Sequence, residues 1–586
     1  VRSRNQRPPS RLRGWFVADA PDFRHRGRWL AFAFLAMAIT LCARLVDVQL
    51  RQHADLTAKA TALHQKSVTI PATRGRILDS TGRVLVSNRT IYDVYADPGL
   101  IAVANRADVA RQLAPVLSAD ETKLAGYLAE PTRFVYLAKG VSQDVSDQLS
   151  RLDLPGIVVE PAEQRVYEPS PVPGSSFAAN LLGYVNNDGH GQYGVEARYD
   201  SILHGTDGQQ STVRDVTGAS ITLSNDPQAD ARNGQDLQLG LDSQLQYWAE
   251  QALAQGVATA QAESGTLIMM DTKTGAIKAW AQAPTYDANA YWTAAIANLR
   301  DLAVANVYEP GSVEKVITFA GGLNTGAITP GYTFNEGPTT IDGATIHDWD
   351  NRAHGTISMQ TVLDMSLNNG AIKVGQLMGP DAFYSNLLAF GVGAPTGVDL
   401  YGEQNVPLAP QSTQSKLDLA EAAFGQHIQV TPVEVLAAVN AVANGGVWVQ
   451  PHAVQSIIDP ATGKSTPVVP STRRVISTAA ASTLAQMMTG VVEDKGGEGS
   501  LARIPAFKGE VAGKTGTASV AENGRYGSNL VVSFAGFLPA KNPQFTMLVV
   551  LNMPHETSVE RFGATLAAPV WKQVAQVAID EWRILP

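Results

Sequence analysis

Hydrophobic and polar positions change rhythm several times along the chain. Residues 29–43 (WLAFAFLAMAITLCA) form an uncharged apolar run, which as a helix rises ~22 Å, short of the ~30 Å hydrocarbon core of a bilayer. Leu45, Val46 and Val48 extend it past Arg44 and Asp47. A long arginine near a helix end snorkels to the interface and Trp29 anchors the other side, so the pattern predicts one membrane span over 29–50. Residues 51–66 read as a polar helix continuing out of it. From about 67 to 225 short strands and turns alternate. A hairpin is predicted at 75–88 around Ser80, Thr81 and Gly82, helical patches at 104–128 and 141–152, and exposed turns at 168–176 and 186–194.

The polar segment 224–236 is the strongest break in the chain. Beyond it Leu245, Trp248, Ala249, Ala252, Leu253 and Val257 recur at helical spacing behind Asp242 or Ser243 as N-cap. Two β-hairpins follow from short apolar runs split by turn residues. One is 266–271 with 276–282 around the turn 272–275; the other is 530–538 with 544–552 around 539–543. A closing helix is predicted over 565–582. Helices bracketing antiparallel strands imply one sheet covered on both faces. The segments are therefore a basic tail (1–28), a span (29–50), a juxtamembrane helix (51–66), a β-rich domain (67–230) and an α+β domain (231–586).

Charge gives the span a direction. Residues 1–28 hold eight arginines against Asp19 and Asp22, whereas the whole chain carries −9. Arginine accumulates on the cytoplasmic side of a span, which places the N-terminus inside and the bulk of the chain outside. The alternative is a cleaved signal peptide with Ala58-Lys59-Ala60 as its site, but that site lies far beyond the apolar run. The acidic balance and dispersed aromatic residues argue against a nucleic-acid binder. Cys42 is the single cysteine, which excludes an intramolecular disulfide and a cysteine-based zinc site.

Among fifteen lysines only Lys315 follows a serine by three positions, in Tyr308-Glu309-Pro310-Gly311-Ser312-Val313-Glu314-Lys315. Pro310-Gly311 makes a turn and an apolar helix follows, so Ser312 sits at a helix N-terminus with Lys315 one turn on. A serine hydroxyl needs a base to become a nucleophile, and a desolvated lysine can be that base. Ser366-Leu367-Asn368 offers a hydroxyl and an amide to relay a proton and hold a substrate amide. Lys514-Thr515-Gly516-Thr517 offers an ammonium and hydroxyls for a carboxylate, with Gly516 permitting close backbone approach. The N–H groups of Ser312 and Thr517 make a candidate oxyanion hole. Lys273-Thr274-Gly275 repeats K-T-G, but in a hairpin turn, where these are ordinary turn residues. His347, Asp348, Asp350 and His354 fall close together, yet such residues in a polar loop read as a turn rather than a metal site. His427, beside the predicted core, reads as structural. No metal and no cofactor is predicted.

The triple S-x-x-K, S-x-N, K-T-G in this order resembles the penicillin-binding proteins and serine β-lactamases. The likeness extends to Arg74-Gly75-Arg76-Ile77-Leu78-Asp79 with Gly82, Arg165-Val166-Tyr167, Leu182-Gly183-Tyr184 and Gly194-Val195-Glu196, which are similar to motifs of the non-catalytic pedestal of class B penicillin-binding proteins. It covers about residues 65–580. Ser366-Leu367-Asn368-Asn369-Gly370-Ala371 looks like the division-specific, FtsI-type branch. Three departures stand out. Leu367 replaces the branch's usual serine, Glu314 puts an acid beside the lysine, and Phe424-Gly425-Gln426-His427 replaces a more glycine-rich stretch. These bear on substrate preference and β-lactam affinity.

The resemblance implies a membrane helix, an elongated β-rich pedestal of dimerisation type and a C-terminal transpeptidase domain with an antiparallel sheet flanked by helices. It implies a single-pass protein of the cytoplasmic membrane whose extracytoplasmic part cross-links peptidoglycan stem peptides ending in D-Ala-D-Ala during septal synthesis. Ser312 is then the nucleophile acylated by substrate and β-lactams, and Lys315, Ser366, Asn368 and Lys514 complete the catalytic set. Thr515, Gly516 and Thr517 bind the substrate's terminal carboxylate. A membrane-embedded glycosyltransferase and divisome proteins are the expected partners, since no glycosyltransferase-like segment is visible in the chain. The competing readings are a carboxypeptidase or β-lactam hydrolase, an elongation-type transpeptidase and a divisome scaffold.

Overall fold

The computed structural model describes residues 23–56, 65–214, 220–221, 227–522 and 525–586. The chain divides into two compact units, Val1–Ile70 with Gly208–Asp230, and Pro71–Asp207 with Ala231–Pro586.

In the first unit a helix spans Phe23–Val46 and runs into a wider turn at Asp47–Arg51. Its segment Gly27–Arg51 has a mean hydropathy of 2.0 and none of it is buried, so it is long and apolar enough to cross a membrane. Asp47 accepts from Arg44 at 2.9 Å, so the two charges that interrupt the apolar run neutralise each other. Of the predicted juxtamembrane helix, residues 53–56 are helical and 57–64 lie outside the described residues. Gln65 and Lys66 instead begin a strand, Gln65–Ile70, paired antiparallel with Gly208–Arg214. The cause is the β-branched run Val68-Thr69-Ile70, which favours extended backbone. Gly208–Arg214 also pairs with Ser220–Ile221 and Pro227–Ala229, so strands about 140 residues apart in sequence share one small sheet.

In the second unit the predicted hairpin forms between Ile77–Leu78 and Val84–Ala96. Asp79 holds the turn by accepting from the Thr81 and Arg83 N–H groups at 2.8 and 2.9 Å. Val84–Ala96 pairs along its length with Ile157–Tyr167, and the helices Arg106–Leu117, Glu121–Ala129 and Gln143–Leu152 pack over this sheet around Val94, Leu113 and Leu128. The same sheet continues through Asp236–Leu239 to Val454–Ile458 and Ser465–Pro467. Hydrogen bonding therefore crosses the break at 230/231 that composition suggests.

Three of the pedestal-like motifs meet in one buried ion network. Glu196 Oε2 accepts from Arg74 Nη2 at 2.6 Å and Oε1 from Arg165 Nε at 2.7 Å, while Arg74 also pairs with Asp200 at 2.7 Å. Burial opposes the Arg74 charge, but Glu196 and Asp200 outweigh it and hold this guanidinium above its ordinary pKa.

The catalytic-type sheet is antiparallel. Its strands are β1 (Ala262–Asp271), β2 (Ile277–Ala283), β3 (Ala512–Glu522), β4 (Arg525–Leu538) and β5 (Phe545–Pro554), in the spatial order β2-β1-β5-β4-β3. Met547, Val549 and Leu551 face one hydrophobic core with α1 (Ser243–Ala260) and α6 (Gly563–Trp582). Leu548 and Val550 face the other, with α2 (Lys315–Asn324), α4 (Pro432–Ala443) and α5 (Thr478–Glu493). α3 (Asn368–Met378) packs against α2. Because successive side chains alternate faces, a strand buried on both sides reads as a continuous apolar run. Asp242 caps α1 by accepting from Gln244 and Leu245 N–H at 3.1 and 3.2 Å.

Candidate active site

Three segments are brought together by close backbone contacts that only glycine permits. Tyr308 bridges Val430, and Gly311 N–H donates to Gly425 O at 3.0 Å. A Cβ on Gly425 would lie 2.0 Å from Gly311 O, and one on Gly516 would lie 2.2 Å from Ser533 Oγ and 2.8 Å from Val313 Cγ2. Gly516 therefore lets β3 lie directly against the tight turn Gly311–Glu314 that leads into α2. The K-T-G-T segment, which carries no strand-like apolar alternation, is part of strand β3, with Lys514 opposite Ala535 and Thr517 opposite Val532.

Lys315, the first residue of α2, is fully buried. Its Nζ donates to Ser366 O at 2.5 Å and Asn368 Oδ1 at 2.8 Å and lies 3.4 Å from Ser366 Oγ. Lys514, equally buried, donates to the same Ser366 Oγ at 2.7 Å and reaches Thr515 Oγ1 at 3.2 Å. Ser366 thus joins two lysines 199 positions apart, and it does so from a left-handed backbone, φ +56°, a conformation that costs a non-glycine residue energy and is found at functional sites. Ser312 lines a cavity of about 270 Å3 with Ser366, Asn368, Thr515 and Thr517. Trp349, Phe562, Glu498 and Glu560 also line it, and the Trp349 and Phe562 rings meet edge-on at 6.2 Å. A larger cavity of about 450 Å3 around Ile372, Phe383 and Lys416 contains none of the motif residues, so chemistry rather than size selects the site.

Burial pushes Lys315 well below the ordinary lysine pKa and the adjacent Lys514 charge pushes it further, against the pull of Glu498 and Asp348. Burial also lowers Lys514, to about 8, with Glu498 and Asp364 opposing. Burial thus disfavours the charge on Lys315, and Ser366 lies between its nitrogen and that of Lys514. A neutral amine has two N–H groups and one lone pair. Lys315 directs its N–H groups at the Ser366 carbonyl and the Asn368 amide oxygen, which leaves the lone pair free to take a proton.

Sequence reading missed three parts of this site. Asp348 holds the start of α3, its Oδ1 accepting from both Asn368 and Asn369 N–H and its Oδ2 from Asn369 Nδ2 at 2.9 Å. A carboxylate at a helix N-terminus is favourable on both hydrogen-bonding and dipole grounds. Glu498 accepts from Thr515 Oγ1 at 2.9 Å, and the Trp349–Phe562 pair walls the cavity. Only Asp348 carried a signal, its place among His347, Asp350 and His354. Of these, His354 faces Asp350 at 3.3 Å. The one clustered group of possible metal ligands among the described residues is instead Asp418, Glu421 and His427. His427 lies beside the core, next to the buried Ile428. It is exposed, at φ +61°, and its N–H donates to Glu309 at 3.1 Å.

Two departures from the family pattern are absorbed by packing. Leu367 is fully buried in the core and lines no part of the cavity. Glu314 is buried beside Val313, Ile317 and Val435, where desolvation drives its pKa well up and disfavours a charge near Lys315. Lys273-Thr274-Gly275 lies between β1 and β2, where Asp271 Oδ1 accepts from the Lys273 and Thr274 N–H groups at 3.0 and 2.7 Å.

Comparison with known proteins identifies the family. The family model of the penicillin binding protein transpeptidase domain matches residues 265–576, and that of the penicillin-binding protein dimerisation domain matches 69–239. The chain is 30% identical to stage V sporulation protein D of Bacillus subtilis, over 93% of this chain and 83% of that protein. It is 29% identical to the peptidoglycan D,D-transpeptidase FtsI of Escherichia coli, over 88% and 85%. Among solved structures, a peptidoglycan synthetase from Bifidobacterium adolescentis superposes with a TM-score of 0.71 at 26% identity, covering 89% of this chain and 97% of the other. Penicillin binding protein 3 from Mycobacterium tuberculosis in complex with aztreonam gives 0.68 at 25%, covering 88% and 98%. With a transpeptidase-domain match over more than half its length and its three motifs converging on one serine, the chain belongs to the class B penicillin-binding proteins, the serine D,D-transpeptidases of peptidoglycan.

Proposed function

We propose that this protein is a membrane-anchored transpeptidase that cross-links stem peptides during septal wall synthesis. The observation that carries the reading is the Lys315–Ser366–Lys514 chain of hydrogen bonds behind Ser312. Ser312 Oγ attacks the carbonyl of the penultimate D-Ala, and the Lys315 lone pair takes its proton. The N–H groups of Ser312 and Thr517 hold the oxyanion. The proton passes through Ser366 to the departing D-Ala amine, and an amine of a neighbouring stem peptide then displaces Ser312. Asn368 orients the donor amide, while Lys514, Thr515 and Thr517 receive the terminal carboxylate and Gly516 keeps the wall of the cleft thin. β-Lactams enter the same path because their strained amide is presented to Ser312 with a carboxylate at the Lys514 end. The relative crystallised with aztreonam and with ampicillin supports the binding of β-lactams.

The helix within Gly27–Arg51 is the anchor, and the arginine-rich residues 1–28 are its cytoplasmic side. The S-L-N-N-G-A segment and the FtsI relative favour septation over elongation. A membrane-embedded glycosyltransferase supplies the strands to be cross-linked, and divisome proteins are the partners.

Intact mass of the detergent-solubilised protein with and without a fluorescent penicillin tests the chemistry. One stable adduct, absent in Ser312→Ala, is expected. Drug consumption without an adduct would make the protein a hydrolase, and neither adduct nor consumption would make it a scaffold. Failure of a depletion strain to form septa while elongating normally is the expected phenotype; rounding without a septal defect would move it to elongation.

A further inference from the structure

Glu498 stands where an anionic ligand should bind. It follows α5 in a loop whose backbone is pinned, with Glu498 N–H donating to Asp364 O at 3.1 Å and Gly499 N–H to Val491 O at 2.8 Å. Its half-buried carboxylate lines the Ser312 cavity and accepts from Thr515 Oγ1 at 2.9 Å. The Thr515 hydroxyl in turn accepts from Lys514 Nζ at 3.2 Å. A hydroxyl has a single proton, and here it points at Glu498. Thr515 therefore offers an arriving carboxylate only lone pairs until Glu498 releases it.

The charges point the same way. Around the cavity the ionisable groups are Lys315, whose charge burial disfavours, Lys514, and the acids Glu498, Asp364, Asp348 and Glu560. Asp348 is committed to the start of α3. Burial and Asp494 raise Asp364 to about 7, so it carries only part of a charge. Glu560 lies on the exposed rim, where solvent screens it. Glu498 is thus the acid that sits against the carboxylate-binding threonine and opposes the one ammonium meant to attract a substrate anion.

We infer that Glu498 is a specificity-determining residue, a resident counter-ion of Lys514 that weakens ground-state binding of monoanionic acyl donors and β-lactams at the Lys514–Thr515 end of the cavity. This rests on the proposed role of that end in holding a carboxylate. A ligand anion must displace Glu498 from Thr515 and meets its charge at short range. The same glutamate fixes the Thr515 rotamer, so the pocket is preformed but electrostatically near neutral.

The test is pre-steady-state acylation of the full-length, detergent-solubilised protein by benzylpenicillin, resolved into the binding constant K and the acylation constant k2. Wild type is compared with Glu498→Gln and Glu498→Asp at low and high salt. Glu498→Gln is expected to tighten K about tenfold, the gain expected from removing one like charge within a few ångströms, with the larger part of the change in K rather than k2. Glu498→Asp, which keeps the charge, is expected to stay close to wild type. Raising salt is expected to narrow the gap between wild type and Glu498→Gln, since screening weakens the repulsion. An unchanged or weaker K in Glu498→Gln overturns the inference, as does equal tightening in both variants. Absence of any Ser312 adduct in wild type would instead overturn the transpeptidase reading, so the two failures are distinct.

Discussion

Replacing Glu196 by glutamine probes whether the pedestal motifs exist to neutralise one another. The Glu196 side chain is fully buried and serves two cations at once. After the change Arg74 keeps Asp200 at 2.7 Å. Arg165 keeps only neutral acceptors, Gly75 O at 2.7 Å and Asn88 Oδ1 at 2.9 Å, while its Nη2 has no partner even in the intact network. The variant therefore holds a buried guanidinium with no counter-charge, a defect that costs about 3–5 kcal/mol. A multidomain chain has no single unfolding free energy. The suitable assay is native-state hydrogen exchange of the amides paired between Val84–Ala96 and Ile157–Tyr167, the sheet that carries Asn88 and Arg165. At a factor of ten per 1.4 kcal/mol, exchange should accelerate roughly 140- to 3,700-fold. Arg165→Met combined with Glu196→Gln should cost less than the two single changes together, because the stranded charge is then gone. Acceleration below about tenfold, or strict additivity, would refute the argument and mean that water or backbone relaxation solvates Arg165.

Four further outcomes follow from the site and its supports. Glu314→Gln should stabilise the protein increasingly with pH. The folded pKa of Glu314 is raised, so its contribution is full below the unfolded value and is lost at up to ~1.4 kcal/mol per pH unit as pH rises toward the folded one. Melting curves at pH 5 and pH 8 that show the same difference would contradict this. Penicillin binding should weaken as pH rises through about 8, where Lys514 loses its charge; a K that is flat to pH 9.5 would remove Lys514 from anion binding. Asp348→Ala should slow Ser312 acylation about tenfold, since losing a helix-capping carboxylate costs ~1–2 kcal/mol in the positioning of Asn368, and a labelling time course reads this directly. Leu367→Ser should lower stability by about 2–4 kcal/mol because the side chain fills core and not cleft. Thermal melts within about 1 °C of wild type would show the side chain to be outside the core.

Features set by local chemistry were legible in the sequence. The apolar run before Arg44, the Asp242 cap, the Asp271 turn that disarms the first K-T-G and the β1–β2 and β4–β5 hairpins are decided within a dozen residues, by period, capping and turn geometry. The order and spacing of Ser312, Lys315, Ser366 and Lys514 pointed to the family, which the transpeptidase-domain match bears out. The strand carrying Lys514 was not legible. Lys-Thr-Gly-Thr lacks the alternation of a half-buried strand, and only the glycine contact with the Gly311–Glu314 turn and the pairing with β4 give it that form.

Whatever depends on distant segments had to wait for the tertiary structure. No pattern near Glu498 indicates that it meets Thr515, and nothing around Asp348 separates a helix cap from a metal ligand until α3 is placed against it. Glu314 and Leu367 look like changes to the active site in sequence, yet packing makes one a buried acid whose charge is disfavoured and the other part of the core. Sequence by itself determined which groups can react and which local elements form, since bonded geometry and side-chain chemistry are short-range. The tertiary structure decided which of those groups are dehydrated, charged and within hydrogen-bonding reach of one another, because desolvation and Coulomb energy depend on neighbours that the chain supplies from 17 to about 200 residues away.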